Sequence, residues 1–325
     1  MKFILNTKQK NFSKEFSKVL ESKREQSNIN KNIVLQIIQQ VKKNKDKAVI
    51  QYSKKFDNIK LNKKNILISK KEIKQIISTL DVKVKRAIQI AYKRIYSFHK
   101  KQLVHSFQYK DAFNNQLGYK YTPLNKVGIY IPGGKASYPS TVLMNAIPAI
   151  VAGVKKIIAV VPTPNNEINA GVIYAATICG VKKIFRIGGA QAIAALAYGT
   201  ETVDQVDKIV GPGNIYVATA KKEVFGQVGI DMIAGPSEIT VVAGKENNSY
   251  WTAIDLLSQA EHDQLSQCIL LTKNKAFAES VLSQIKKIIP KLPRKEIAAK
   301  SIKNYGAIII CKNDNEIIDL VNKIA

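Results

Sequence analysis

Few residues of this chain advertise a chemistry by their abundance. Its three cysteines, Cys179, Cys268 and Cys311, are odd in number, far apart and set among apolar neighbours. No Cys-x-x-Cys pair occurs, so neither a disulfide framework nor a cysteine zinc knuckle is supported, and each thiol reads as a small buried hydrophobe. Histidine is equally scarce, with only His99, His105 and His262. No uncharged apolar run reaches the roughly 18 residues that a membrane-crossing helix needs. The start, Met1-Lys2-Phe3-Ile4-Leu5-Asn6, has too short an apolar core for a secretion signal, so a cytosolic setting is expected.

Arginine is the next shortage. The net charge is +27, from 51 basic against 24 acidic residues, yet arginine occurs only at Arg24, Arg86, Arg94, Arg186 and Arg294. Arginine's planar fork suits phosphates and base edges better than the lysine point charge. Lysine here travels with abundant isoleucine and asparagine, as whole-sequence compositional drift would produce. The excess is therefore read as solvated surface, with no nucleic-acid partner and no membrane partner expected.

What is present is the pattern of a globular protein. Hydrophobic residues make up 46% of 325, enough chain for about two domains. The first third reads as helices. Residues 12–20 form a short amphipathic piece, and Ile33, Val34, Ile37, Ile38 and Val41 follow helical spacing, as do Val49, Tyr52 and Phe56 after a charged break. Ser69-Lys70-Lys71-Glu72 fits a capping box ahead of Ile73, Ile76 and Ile77. Asp81 starts a longer helix with Val84, Ala87, Ile88, Ala91, Ile95 and Phe98 on one face. His99 and His105 follow in a polar tail and are read as solvated or core-edge residues.

From Leu117 onward short β-rich runs alternate with helical segments. Strands are expected near 127–131, 157–161, 184–187, 208–210, 239–242, 268–271 and 307–310, with helices between most of them. That alternation implies βαβ units and parallel sheets. Ligands in such sheets sit beyond the carboxyl ends of strands. Gly133-Gly134-Lys135, Gly188-Gly189-Ala190-Gln191, Gly211-Pro212-Gly213-Asn214 and Gly235-Pro236-Ser237-Glu238 are expected there, where glycine allows close backbone approach and a helix start favours an anion.

Familiar motifs are absent. Gly134-Lys135 lacks the rest of a P-loop, and Gly211-Pro212-Gly213-Asn214-Ile215-Tyr216 fails the last position of a dinucleotide fingerprint. Ser237 is not in a nucleophile elbow. The densest polar cluster in an apolar-periodic segment is Ser258-Gln259-Ala260-Glu261-His262-Asp263. On a helix Gln259 and His262 would share one face and could meet one bound atom. Taken alone, a histidine at a helix end is more often a surface or capping residue than a metal ligand.

These residues together resemble the histidinol dehydrogenase family. The matching runs are Gly128-Ile129-Tyr130-Ile131-Pro132-Gly133-Gly134, the stretch from Tyr138 to Ala149, that from Gly188 to Leu196, that from Val206 to Asn214, that from Ile230 to Glu238, and that from Asp255 to His262. The resemblance implies an α/β fold of two doubly wound, Rossmann-like parallel-sheet domains with an N-terminal helical extension. The expected division is 1–25 for the extension, 26–129 and 238–325 for one α/β domain, and 130–237 for the second, NAD-side domain. It implies a zinc-containing enzyme of histidine biosynthesis that oxidises L-histidinol through the aldehyde to L-histidine with NAD, as a cytosolic, intertwined homodimer. Carried over by position, Tyr130, Gln191 and Asn214 become NAD contacts. Ser237, Gln259 and His262 become substrate contacts, and Gln259 and His262 also zinc ligands. Alone, Gln191 and Asn214 would read equally well as local caps.

Two ligands are half of what zinc usually takes. The family's further ligands, and the Glu-His pair that moves protons, fall beyond the position matching Ala325. No catalytic acid or base is therefore assigned, and the zinc site is expected to be incomplete. The sequence is expected to be a C-terminally shortened form whose last helix leaves Ile317, Ile318 and Val321 uncovered. The alternative to a working dehydrogenase is a non-catalytic remnant that retains NAD or partner binding.

Overall fold

The β-branched runs form two all-parallel sheets in a computed structural model that describes residues 3–21, 26–133, 138–233, 235 and 237–324. Contacts divide the chain into one unit of residues 1–29 and 235–325 and another of 30–234.

In the larger unit the sheet holds β4 (Lys126–Tyr130), β5 (Lys156–Val160), β6 (Lys183–Phe185), β7 (Lys208–Val210) and β8 (Gly229–Ile230), in the order β6-β5-β4-β7-β8. Alternate residues of one strand serve two cores. Ile158 and Val160 face the layer built with Val34, Ile37, Ile193 and Leu196, while Ile157 and Ala159 face the layer with Leu143, Ile147 and Ile173. Helices α2 (Gln26–Asp57), α7 (Gly189–Tyr198) and α8 (Ile215–Val224) cover the first face. Helices α3 (Lys70–Ser78), α4 (Val82–Lys100), α5 (Pro139–Val151) and α6 (Ala170–Ile178) cover the second. The strand order reverses direction between β4 and β7, which is where an open α/β sheet parts to admit a ligand.

Local signals explain several boundaries. Ser69 accepts from the Glu72 N–H at 3.2 Å, and Asp81 caps α4 through the Lys83 and Val84 N–H groups. The charged break inside α2 is a kink at Lys45, whose φ of 47° is non-helical. Phe56 and Phe98, expected on buried stripes, are exposed. The hairpin of β2 (Phe107–Lys110) and β3 (Gln116–Tyr119) had no sequence expectation, and all eight of its strand residues are exposed.

The smaller unit has a sheet ordered β1-β11-β10-β9, with β1 (Phe3–Asn6), β9 (Glu238–Val242), β10 (Gln267–Thr272) and β11 (Ala307–Ile310). Cys268 and Leu270 face α9 (Ser249–Ala260), α10 (Lys275–Ile288) and α11 (Lys295–Tyr305), while Ile269 and Leu271 face α1 (Phe12–Glu21) and α12 (Asp314–Ile324). Both sheets are thus covered on two faces, as their near-continuous apolar strands require.

Three expectations change. Residues 1–25 contribute α1 and also β1, which pairs in parallel with β11 from Phe3↔Ala307 to Asn6↔Ile310. Residues 30–129 pack with the larger unit instead of with 238–325, because their helices cover that sheet and the 66–68 segment extends its edge. There the Ile68 N–H donates to the Ile184 carbonyl at 2.9 Å and the Arg186 N–H to that of Ile66 at 3.0 Å. The last helix is not left uncovered: Ile317 and Leu320 are buried, Val321 packs beside them, and Ile318 alone of the three expected residues is exposed.

Candidate functional site

Tyr130, Gln191 and Asn214 come from separate stretches of sequence, and each lies at the carboxyl edge of the larger sheet. Tyr130 ends β4 at 4% exposure, and its hydroxyl accepts from the Gly189 N–H at 3.1 Å. Burial pushes its phenol up to about 12, with a smaller push in the same direction from the charge of Asp57, against the Gly189 hydrogen bond. The ring has no open face for stacking; the hydroxyl and the turn it holds are what this residue offers.

Gly189 opens α7 at a φ of +62°, and an added Cβ would sit 2.7 Å from the Gln191 Oε1. The helix start has no side-chain cap, since its N-cap is Gly188. Gln191, two residues in, is 1% exposed, and neither its Oε1 nor its Nε2 has a partner. A buried amide without hydrogen bonds costs roughly 1–3 kcal/mol per unsatisfied group. Such a group takes its missing bonds from a ligand or an ordered water.

Asn214 opens α8 and is exposed. Its Oδ1 accepts from the Tyr216 and Val217 N–H groups at 3.1 and 3.2 Å, so the side-chain carbonyl is spent on the cap and Nδ2 is the group left for a ligand. The cap thus uses one polar atom of the amide and leaves the other available.

Other charged groups at this edge escaped the sequence reading. One Asp57 carboxyl oxygen is buried without a partner, and burial raises its pKa. Arg186 is buried, paired with Glu72 at 2.5 Å and donating to Asn166 at 3.0 Å, and it borders a cavity of about 430 Å³ with Asn58, Lys60 and Asn165. A larger cavity of about 600 Å³ lies at the amino ends of β4, β7 and β8, beside Lys126 and Asp207, and contains none of the candidate residues. Buried charge was the available signal, and burial is not visible in a sequence.

Ser237, Gln259 and His262 belong to the smaller unit. Ser237 directly precedes β9, and its carbonyl accepts from the Gln267 N–H at 3.1 Å. The turn 235–238 therefore lies at an amino end of its sheet, unlike the expectation that all four turns occupy carboxyl ends. Residues 134–137 and Pro236, parts of two of those turns, lie outside the described residues.

Helix α9 is capped by Asn248 and buries Leu256, Leu257 and Ala260. Gln259 is half-buried in its last turn, and His262 is exposed just past the C-cap Glu261. The two are not successive positions of one helix face. They are joined by a tight turn in which the His262 N–H donates to the Gln259 carbonyl at 3.1 Å. Among the described residues no group of three His, Cys, Asp or Glu side chains is arranged to hold a metal ion. An amide and one imidazole do not complete the tetrahedral set that zinc takes, so the residues present do not by themselves fit the ion.

The cysteines occupy none of these places. Cys179, Cys268 and Cys311 are buried, and burial pushes their thiols up to about 12, 12 and 11, the opposite of what a reactive thiolate requires. Among the described residues no helix is long and apolar enough to cross a membrane.

With this geometry in hand, comparison with known proteins is specific. The sequence profile of histidinol dehydrogenase matches residues 20–325. Histidinol dehydrogenase of Pelagibacter ubique is 50% identical over 324 residues, covering 99% of this chain and 74% of that protein. That of Hydrogenovibrio crunogenus is 50% identical over 294 residues, covering 90% of this chain and 68% of its own length. The crystal structure of histidinol dehydrogenase from Elizabethkingia anophelis superposes with a TM-score of 0.80 at 40% identity, over 90% of this chain and 68% of that one. A profile that spans nearly the whole chain, relatives at half identity and a shared fold all agree: this chain belongs to the histidinol dehydrogenase family.

Proposed function

We propose that this chain oxidises L-histidinol to L-histidine through the aldehyde, as a cytosolic homodimer of histidine biosynthesis, with NAD bound at the carboxyl edge of the larger sheet. The observation that carries the NAD assignment is Gln191: a fully buried amide with both polar atoms unpaired, beneath an uncapped helix start, beside the strand reversal. Bound NAD supplies the hydride acceptor for two successive oxidations.

The chain's own residues bind and orient. Gln191 has a donor and an acceptor to give to a carboxamide, hydroxyl or phosphate. The free N–H groups at the start of α7 favour an anionic group. Asn214 adds one donor through Nδ2, and the Tyr130 hydroxyl holds Gly189 in place. In the smaller unit, Ser237, Gln259 and His262 are assigned to the imidazole and amine of histidinol. Gln259 and His262 are two donors of the kind zinc accepts, short of the set it needs.

The test reads binding and turnover separately. Histidinol-dependent NADH formation supports the full proposal. Gln191→Leu removes a buried unsatisfied amide, so it should raise stability by roughly 1 kcal/mol while weakening NADH binding. Absence of NADH binding by the unmodified chain would overturn the cofactor assignment. NADH binding without any histidinol oxidation would leave the non-catalytic reading in its place.

A further inference from the structure

Lys221 is the least expected side chain in the larger unit. It lies in α8 with a 3% exposed side chain, where a lysine carries a large desolvation cost unless its charge is matched. Its ammonium pairs with the Asp231 Oδ1 and donates to the Gly211 carbonyl at 3.0 Å. The other Asp231 oxygen accepts from the Gly211 N–H at 2.8 Å. Both backbone polar groups of one glycine are thus held by the two halves of one ion pair.

That glycine begins the Gly211-Pro212-Gly213-Asn214 turn, directly after β7. It sits at a φ of +115°, and a Cβ there would lie 2.1 Å from the Tyr130 carbonyl. Asp231 follows β8, and its N–H donates to the Ile209 carbonyl at 3.2 Å, which continues the parallel ladder by one step. The aspartate side chain then takes the next donor that a backbone carbonyl would otherwise have taken. The pair links β7, β8 and α8 at the turn that carries Asn214, beside the strand reversal.

We propose that Lys221 and Asp231 are positioning residues for cofactor binding: together they lock Gly211 and so set where Asn214 and the start of α8 meet NAD. This rests on the NAD assignment above. Lys221 is buried while the Asp231 side chain is 30% exposed, and removing both would leave the N–H and carbonyl of buried Gly211 without partners, which destabilises the fold. A role in placing the turn is separated from a role in holding the fold by comparison with Ile173→Val, a change in the core on the opposite face of the sheet.

The experiment uses the 325-residue chain and measures the Kd for NADH by fluorescence, the thermal midpoint, and hydrogen exchange at 211–216. Lys221→Met/Asp231→Leu should lower the midpoint, raise the Kd by roughly tenfold or more, as loss of a supporting shell does at other sites, and speed exchange at Gly211. Ile173→Val, which lowers the midpoint from the opposite face of the sheet, should leave the Kd unchanged. Lys221→Arg, which keeps the charge, should recover part of the affinity. An unchanged Kd in the double variant, or an equal rise in Ile173→Val, overturns the positioning role. If the unmodified chain binds no NADH, the NAD assignment fails, and exchange alone judges the lock: faster exchange in the double variant retains it and unchanged exchange removes it.

Discussion

A phenol that reaches water only through 4% of its surface titrates as its surroundings dictate, and Tyr130 shows what this does at the cofactor edge. Its value of about 12 lies above the ordinary 10, so the folded state holds the proton more tightly than the unfolded chain. The resulting stability is fully present below pH 10 and is lost as pH rises to about 12, by an amount on the order of 2–3 kcal/mol. Tyr130→Phe should cost about 1 kcal/mol near neutrality, because the Gly189 N–H loses its acceptor. Over the alkaline window the variant escapes the titration, so the cost should shrink or reverse. Urea unfolding of both proteins across that range checks this, and a cost independent of pH would exclude it. None of this was legible in Gly128-Ile129-Tyr130-Ile131, which marks a strand and a family but not which way the ring lies.

At the scale of elements, caps were the most readable feature because they act over three or four residues. Ser69 and Asp81 each carry their explanation in adjacent residues, whereas at the Lys45 break the freed Asp46 N–H donates to the distant Glu201 carboxylate. Asn214 shows the limit of that legibility, since one side chain serves a cap with its carbonyl and has its amide nitrogen free. Asn214→Asp should keep the cap and the thermal midpoint while weakening NADH binding, because the donor is lost and a negative charge faces the phosphates. Asn214→Ala should lose both, with about 1 kcal/mol of stability. Equal NADH affinity in the aspartate variant would remove Asn214 from the cofactor site. The β2–β3 hairpin was missed for a different reason. It buries neither face, so its ring contacts between Phe107, Tyr109 and Tyr119 gave no core-directed alternation to read.

At the scale of the whole molecule, the two sheets divide the candidate residues, with Tyr130, Gln191 and Asn214 in one unit and Ser237, Gln259 and His262 in the other. A metal centre is a whole-molecule property, because its ligands are gathered from distant chain segments. Zinc titration of this chain should give weak binding that falls further in Gln259→Ala and His262→Ala. Tight, stoichiometric zinc in the unmodified chain would show that other groups complete the set.

Gln259 and His262 were recognisable from the start as an amide and an imidazole three positions apart, and their turn is a local event. The parallel α/β class, most helix starts and the family are legible in the residues alone, because periodicity, caps and contiguous motifs are short-range properties. The tertiary structure decided which helices serve which sheet, that Phe3–Asn6 is a strand, and that α12 is covered. It also decided that Lys221 and Asp231, ten residues apart in different elements, close on Gly211. Those outcomes depend on long-range pairing and on burial, which arise only when the chain has folded back on itself.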